Sequence, residues 1–127
     1  MLQHKDHHSI GELCDEFGVT ARALRFYEDE ALIAPERRGT QRLYSDRDRA
    51  RLAWILRGKR VGLSLAEIKE LLDLYDVGDG RKTQRLKTVV TCQARVDSLK
   101  RQRIDIDATI KELEGFIGLV KAQDQEK

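Results

Sequence analysis

The sequence predicts a mainly α-helical fold, in which a winged helix-turn-helix domain is followed by a long coiled-coil helix. Three observations predict it. Hydroxyl side chains precede apolar stretches with helical spacing, one charged segment lacks that spacing, and the last third repeats apolar residues in heptads. We expect the winged helix-turn-helix domain over residues 9–75, a linker over 76–81 and the coiled-coil helix over 82–121, with disordered tails at 1–8 and 122–127.

Composition narrows the class of protein. Charged residues make up 36% of the chain, well above the usual quarter, which suits helices with much exposed surface. No apolar run approaches the roughly 18–20 residues of a membrane span, and no signal-peptide core follows Met1. A cytoplasmic protein without a membrane partner is therefore expected. The two cysteines, Cys14 and Cys92, lie far apart, which excludes a disulfide framework or a structural zinc module.

Four helix starts can be read from capping residues. Ser9, Ser45 and Ser64 each precede an acid three residues on, which is the pattern of a capping box. Thr20 caps the second helix without such an acid. Gly18 ends the first helix, and one residue separates this glycine from Thr20. Two short helices joined by a tight turn containing glycine are typical of a helix-turn-helix.

The segment after the second helix predicts a wing. Residues 31–44 contain the chain's one proline and an isolated glycine, and they alternate in character around Leu43. Two short strands joined at Arg38–Thr40 fit this segment better than a helix does. Helical spacing returns after Ser45, and it breaks again just before Ser64.

Positive charge is concentrated in one part of the chain. Nine Lys or Arg residues and two acids lie between Arg37 and Arg60, a local net charge of +7. From Gly62 onward, twelve basic residues balance twelve acids. A basic region of this kind is the electrostatic signature of nucleic-acid binding.

The candidate DNA-binding residues lie on the second helix, the wing and the end of the third helix. The N-terminal half of the second helix enters the major groove in helix-turn-helix proteins. Arginine offers a planar set of donors that suits phosphate or guanine, and tyrosine can donate its hydroxyl to a phosphate. The acids Glu28–Glu30 are expected to point away from DNA. The candidates are Thr20, Arg22, Arg25, Tyr27, Arg37, Arg38, Arg42, Tyr44, Arg57 and Lys59.

The last third of the chain predicts a homodimer. Apolar residues recur there at spacings of three and four, with one polar interruption at Arg103. Because nothing else in the chain is long enough to cover this seam, a second copy is expected to cover it. The predicted dimerisation residues are Val89, Cys92, Val96, Leu99, Ile106, Ile110, Leu113, Ile117 and Val120.

These segments resemble the MerR family of bacterial transcription regulators over about Ser9–Tyr75. The matching motifs are SIGEL, GVT…LRFYE, LIAP.R, R.YS..D and VGLSLAEIKELL, followed by a long helix. The resemblance implies a homodimer with an antiparallel coiled coil that binds a palindrome in a promoter whose polymerase elements are spaced too far apart. It also implies that the protein distorts this DNA so that RNA polymerase can engage. Arg22, Arg25, Tyr27, Arg38, Arg42, Tyr44 and Lys59 fall at or beside the family's DNA-contacting positions.

Two residues depart from the family pattern. Ala31 stands where the family usually has glycine, which conflicts with a tight exit from the second helix because alanine disfavours positive φ. Gln41 stands where a wing tyrosine is usual. These departures, with RFYED, RLYS.RDR, LRGKR and LLDLYD, are similar to the branch that regulates leucine and isovalerate utilisation. That likeness implies control of branched-chain amino acid catabolism and, by analogy alone, an acyl-CoA-like effector.

No resident cofactor or metal is expected. The metal-sensing branch of the family has a cysteine at the start of the dimerisation helix and a cysteine pair after it, and neither occurs here. Cys92 is interpreted as a buried seam thiol, with a thiol or metal sensor using Cys92 as the alternative. His4, His7 and His8 are assigned to a frayed N-terminus. With no separate effector domain expected, an effector would bind at the dimer interface or between the coil and the DNA-binding domain.

A DNA-binding transcription regulator is the favoured function, and two alternatives stay open. One is a coiled-coil interaction protein whose basic domain serves only solvation. The other is a DNA-bending architectural or excision factor without transcriptional output. Phosphate contacts predict an affinity for DNA that falls steeply with salt concentration. This salt dependence distinguishes the regulator from the coiled-coil interaction protein. An enzyme is not expected, because the sequence has no nucleophile–base pair, metal triad or phosphate-cradling glycine loop.

Overall fold

The computed structural model describes residues 7–76 and 78–125 of the chain. Contacts divide the chain into two compact units, Met1–Lys87 and Thr88–Lys127, and each is described by itself. None of the helices within the described ranges has the length and apolarity needed to cross a membrane. The elements are β1 (His7–Ser9), α1 (Ile10–Phe17), α2 (Ala21–Asp29), β2 (Glu36–Arg38), β3 (Gln41–Ser45), α3 (Asp46–Arg60), α4 (Leu65–Asp73), a 3₁₀ turn (Leu74–Asp76) and α5 (Lys82–Gln125).

Capping side chains begin the first four helices, as the sequence predicts. Complete capping boxes at Ser9, Ser45 and Ser64 open α1, α3 and α4. Thr20 Oγ1 accepts a hydrogen bond from the backbone N–H of Ala23 at 3.1 Å and opens α2. Gly18 ends α1 in the left-handed conformation, with φ of 66°, which a residue with a Cβ adopts only at a cost. The predicted helix-turn-helix of α1 and α2 is therefore confirmed.

A three-stranded antiparallel sheet follows the helix-turn-helix. β2 and β3 form the predicted wing, with Arg37 opposite Arg42. β1 pairs with the other edge of β3, so the strand order is β1-β3-β2. This third strand was not predicted, because three residues without apolar alternation carry no strand signal.

The tail predictions need correction at both ends. His7 and His8 are not disordered: they pair with Ser45 and Tyr44 of β3, and His8 Nε2 lies 2.7 Å from Asp46 Oδ1. At the other end, α5 continues to Gln125 instead of ending at 121. Residues 1–6, 126 and 127 lie outside the described part of the chain, and the tail predictions for them stay untested.

The core of the first unit takes side chains from α1, α2, the wing, α3 and α4. Its members are Leu13, Leu24, Tyr27, Leu32, Ile33, Tyr44, Leu52, Ile55, Ile68 and Leu72. A buried carboxylate holds the segment after α2 against the start of α3. Asp48 accepts the N–H of Ala34 at 3.0 Å on one oxygen and the N–H of Ser45 at 3.1 Å on the other. The helix-turn-helix, the wing and α3 thus share one fixed core.

The second unit is the part of α5 from residue 88 onward, and it exposes its apolar side chains. The predicted seam residues Val89, Val96, Leu99, Ile106, Ile110, Leu113, Ile117 and Val120 are between 40% and 66% exposed. Cys92 is exposed as well in the single chain. Apolar residues outside the predicted seam, such as Ile104, have comparable exposure.

Candidate nucleic-acid interface

Two arginines on α2 are open to a ligand. Arg22 and Arg25 are exposed, and neither forms an ion pair with any residue in the described ranges. They are three positions apart, so their side chains are neighbours on the helix surface. Each carries five N–H donors in a planar fork. This pair can therefore bind phosphate oxygens or the acceptor edge of a base.

Glu28 of α2 holds the wing through two arginines. Arg37 Nη2 donates to Glu28 Oε1 at 2.8 Å, and Arg42 Nε donates to Glu28 Oε2 at 2.8 Å. We call these three residues the wing clamp. The expectation that Glu28 points away from DNA stays a prediction, and the structure shows that its carboxylate faces two cations of the wing. Glu28 joins the predicted recognition helix to the wing.

The clamp resolves a conflict within the wing. Arg37 and Arg42 are paired directly across β2 and β3, where two like charges destabilise a hairpin. Glu28 places one carboxylate oxygen on each guanidinium group. Burial raises the pKa of Glu28, but the hydrogen bonds and charges of Arg42 and Arg37 outweigh burial, and the pKa lies below its ordinary value. Glu28 is therefore ionised when the clamp is closed.

The two tyrosines among the candidates belong to the core. Tyr44 is 0% exposed, so the prediction that Tyr44 contacts DNA is wrong for this structure. Within the described residues its hydroxyl has no hydrogen-bond partner. Burial and the charge of Glu28 raise the pKa of Tyr44 above its ordinary value. Tyr27 is 3% exposed, and Lys59 Nζ lies 5.6 Å from the centre of its ring, at cation–π distance.

The other candidates lie on the wing, α3 and the helix-turn-helix. Arg38 is exposed on β2 and lies 3.6 Å from Glu36. Arg57 and Lys59 are exposed in the last turn of α3. Thr20 serves as the cap of α2. The wing arginines meet α2 at Glu28 and Lys59 meets α2 at Tyr27, whereas no contact joins Arg22 or Arg57 to the wing among the described residues.

Sequence reasoning missed the role of Glu28, because that role depends on the register of the wing. The turn predicted at Arg38–Thr40 would place Arg37 opposite Gln41, whereas the observed turn is Gly39–Thr40 and Arg37 lies opposite Arg42. Two facing arginines require an acid nearby. Glu36 and Asp46 are nearer in the sequence, but Glu36 lies beside His7 and Arg38 and Asp46 pairs with His8, so the sequence alone does not single out Glu28.

The side chains that could ligate a metal are spread over the described ranges. No group of three or more His, Cys, Asp or Glu residues is arranged there to hold a metal ion. His7 lies 3.7 Å from Glu36, and His8 pairs with Asp46. His4 lies outside the described residues.

Two family models match the chain. The model described as "MerR HTH family regulatory protein" matches residues 8–74, and the model described as "MerR, DNA binding" matches residues 49–116. Among curated relatives, the HTH-type transcriptional regulator HmrR of Rhizobium leguminosarum bv. viciae is 30% identical over 106 residues, covering 83% of this chain and 82% of HmrR. Alignments with some other relatives span about half of their length.

Solved structures agree with the sequence comparisons. HiNmlR, a MerR family regulator lacking the sensor domain and bound to promoter DNA, is similar with a TM-score of 0.58 and 26% identity, over 75% of this chain and 76% of HiNmlR. The transcription regulator PbrR691 from Ralstonia metallidurans CH34, in complex with lead(II), has a TM-score of 0.67 and 27% identity, over 89% of this chain and 82% of that protein. The chain therefore belongs to the MerR family of helix-turn-helix regulatory proteins.

Proposed function

We propose that the protein acts as a homodimer that binds a palindromic operator within a promoter and controls transcription by distorting that DNA for RNA polymerase. The observation that carries this proposal is the wing clamp. It fixes the wing to α2 through Glu28, so that the two elements meet a duplex as one surface. The promoter DNA bound to the related regulator HiNmlR supports the same partner for this chain.

In this proposal, α2, the wing and α3 each contact a different part of the DNA. α2 enters the major groove, where Arg22 reads a base edge and Arg25 binds a phosphate. Arg37 and Arg38 of the wing reach the flanking backbone, because both are exposed. Arg42 is largely covered, and it acts through the clamp more than through direct contact. Arg57 and Lys59 hold a further phosphate.

The dimer is supported by the apolar surface of α5. Its predicted seam residues are exposed in one chain, and leaving such a continuous apolar surface in water is unfavourable. A second copy with the same heptads covers it through knobs-into-holes packing. The resemblance to the MerR family supports an antiparallel orientation of the two helices. This arrangement brings two copies of α2 to the two halves of a palindrome.

The first test is a nuclease footprint on the promoter regions beside the protein's own gene. We expect a protected palindrome between the two polymerase elements, with a hypersensitive centre where the DNA is distorted. The operator affinity should fall with salt at a log–log slope of about −0.9 per phosphate neutralised. A flat salt response would favour the coiled-coil interaction protein, and a bent site without any transcriptional change would favour the architectural factor.

Base reading and phosphate binding can be separated by two variants. Arg25→Ala should weaken binding to all DNA sequences alike. Arg22→Ala should relax the preference at one base position, at a cost of about 1–3 kcal/mol for the preferred base. An equal loss on every sequence for Arg22→Ala would remove its assignment as a base reader.

The effector that controls the protein has two candidates, a metal ion and an acyl-CoA-like molecule. The lead(II) complex of PbrR691 favours metal sensing as a second candidate, and Cys92 is the thiol in α5 that this chain offers. The leucine and isovalerate assignment, with its acyl-CoA-like effector, rests on sequence resemblance alone. A footprint repeated with lead(II), zinc(II) and acyl-CoA esters distinguishes them. A metal response that is lost in Cys92→Ser would favour metal sensing.

A further inference from the structure

The first unit contains a cavity of about 390 Å³ between α3, α4, the 3₁₀ turn and the start of α5. Its volume lies in the range of small-molecule sites, roughly 300–1,000 Å³. The lining residues that matter are Arg47, Arg51 and Trp54 from α3, Tyr75 from the 3₁₀ turn, and Arg81 and Gln84 around the start of α5. All of them belong to the first unit.

The lining combines positive charge with aromatic walls. Three arginines line a space that is otherwise bounded largely by aromatic and apolar side chains, including Trp54 and Tyr75. The guanidinium carbon of Arg81 lies 4.2 Å from the centre of the Tyr75 ring, and Arg81 also donates to the Tyr75 hydroxyl. This stacking holds the Arg81 cation at the wall. A ligand with one anionic group and a flat apolar body matches such a lining.

Arg51 connects the cavity to the segment that leaves the recognition helix. Its side chain is 12% exposed, and its Nε donates to the carbonyl of Leu32 at 2.6 Å. Its Nη1 donates to the carbonyl of Leu72 at 3.3 Å, and its Nη2 lies 3.8 Å from Asp73. Leu32 in turn donates its N–H to the carbonyl of Tyr27 in α2 at 2.9 Å. One side chain of the cavity wall therefore holds the exit of α2.

We propose that this cavity is the effector site of the protein and that it takes a small organic carboxylate with a flat or apolar body. The inference rests on the proposed function, because an effector needs a regulator to act on. The carboxylate binds the guanidinium groups, and the apolar body packs against Trp54 and Tyr75. A carboxylate near Arg51 competes with the carbonyl of Leu32 for its donors. Occupancy thereby changes the position of α2, and with it the affinity for the operator.

The chain carries its own reporter for this site. Trp54 is the only tryptophan of the protein, and it is 41% exposed at the cavity wall. Its indole N–H gives a single resonance in a ¹⁵N correlation spectrum of the full-length protein. Two probes of the same shape test anion recognition: 2-naphthoate, and the uncharged 2-naphthamide. We expect 2-naphthoate to shift the Trp54 resonance and to bind at least about tenfold more tightly than the amide, since a charge-assisted hydrogen bond distinguishes the two.

A substitution in the lining sharpens the test. Arg81→Gln should weaken 2-naphthoate at least about tenfold and leave 2-naphthamide unchanged, because one cation of the site is removed. Arg101→Gln is the matched control, since Arg101 lies in α5 outside the cavity lining and should leave both affinities unaltered. Equal affinities for the two probes would overturn the assignment of an anion site. A Trp54 resonance that neither probe shifts would also overturn the assignment. A segment of the second copy that fills the cavity would give that result.

Operator binding, followed by fluorescence anisotropy, keeps this inference separate from the proposed function. A protein that binds its operator but not 2-naphthoate would overturn the effector site alone. A protein that binds 2-naphthoate at Trp54 but no DNA would overturn the regulator and leave the binding site standing. Saturating 2-naphthoate should change the operator affinity of the unaltered protein at least about fivefold, the lower end of the usual range of allosteric coupling. An unchanged operator affinity would overturn the connection through Arg51.

Discussion

The two units of the chain differ in how far their large apolar side chains are exposed. In the first unit, the core leucines and isoleucines are at most 3% exposed, and the chain itself supplies every contact. In the second unit, the apolar side chains of α5 are between 40% and 67% exposed. The first unit therefore holds its fold within one chain, whereas α5 needs a second copy. The same apolar-to-alanine substitution should therefore lower the free energy of unfolding much more in the core of the first unit than on the exposed surface of α5.

The largest effect is expected from a charge in the seam of α5. Ile110→Asp should dissociate the dimer and reduce operator affinity by more than about a hundredfold, because an unpaired carboxylate cannot be buried between two helices. Sedimentation and operator anisotropy measure the two effects. Lys111→Asp is the control, since Lys111 lies outside the predicted seam and should leave the dimer intact. A dimer that survives Ile110→Asp would refute the seam.

The next effect compares one substitution in both units. Ile55→Ala removes a side chain that is 0% exposed and should lower the free energy of unfolding by about 2–5 kcal/mol. Ile104→Ala removes the same atoms from a position on α5 that is 66% exposed, and it should cost less than about 0.5 kcal/mol. Denaturant unfolding of both variants gives the difference. Similar costs would mean that Ile104 is buried in the dimer.

A smaller effect is expected from opening the wing clamp. Glu28→Gln leaves one acceptor for two arginines, so the wing loses its fixed position while a negative charge disappears beside the DNA. The ratio of the affinity for the operator to the affinity for random DNA should fall several-fold. The affinity for random DNA itself should rise. Competition anisotropy measures this ratio. Asp29→Asn is the matched control, because among the described residues no hydrogen bond or ion pair joins Asp29 to the wing.

The clamp also has a pH dependence. The pKa of Glu28 in the folded protein lies below its ordinary value of 4.5, so the ionised clamp stabilises the fold fully above that value. The contribution is lost as the pH falls through the lower folded pKa. Stability between pH 5 and pH 3 should therefore decline less in Glu28→Gln than in the unaltered protein. An identical decline would show that other acids dominate this range.

The smallest effect is a gain in stability at the exit of α2. Ala31 has a φ of 60°, a left-handed conformation that alanine adopts at a cost. Ala31→Gly should raise the free energy of unfolding by about 0.5–1 kcal/mol, even though glycine is more flexible in the unfolded chain. Ala53→Gly, inside α3, should lower it by about 1 kcal/mol. A loss of stability in Ala31→Gly would contradict the strain.

Local signals account for what the sequence predicted well. Capping side chains and helical spacing act within a few residues, and they located α1 to α4 and the turn of the helix-turn-helix. The conflict expected at Ala31 does not change the backbone: the alanine takes the left-handed conformation usually left to glycine, and the tight exit from α2 is kept. The exposed arginines of α2 and the wing followed from composition and from the groove geometry of helix-turn-helix proteins.

Contacts between distant residues account for what was missed. β1 depends on a partner strand more than thirty residues away, and its own three residues carry no strand signal. The burial of Tyr44 depends on which face of β3 meets the core, and a tyrosine suits either side. The role of Glu28 emerged only when the register of the wing was known. Such features depend on tertiary packing, which short-range patterns do not encode.

The facing pair Arg37 and Arg42 has a consequence for the order of folding. A hairpin of residues 36–45 on its own places two guanidinium groups side by side with no acid between them, and a lone two-stranded hairpin is marginal in water in any case. The acid that pairs with both arginines, Glu28, belongs to α2 and not to the hairpin. We therefore expect the wing to close after the recognition helix has formed, so that a nascent chain acquires the complete surface in that order.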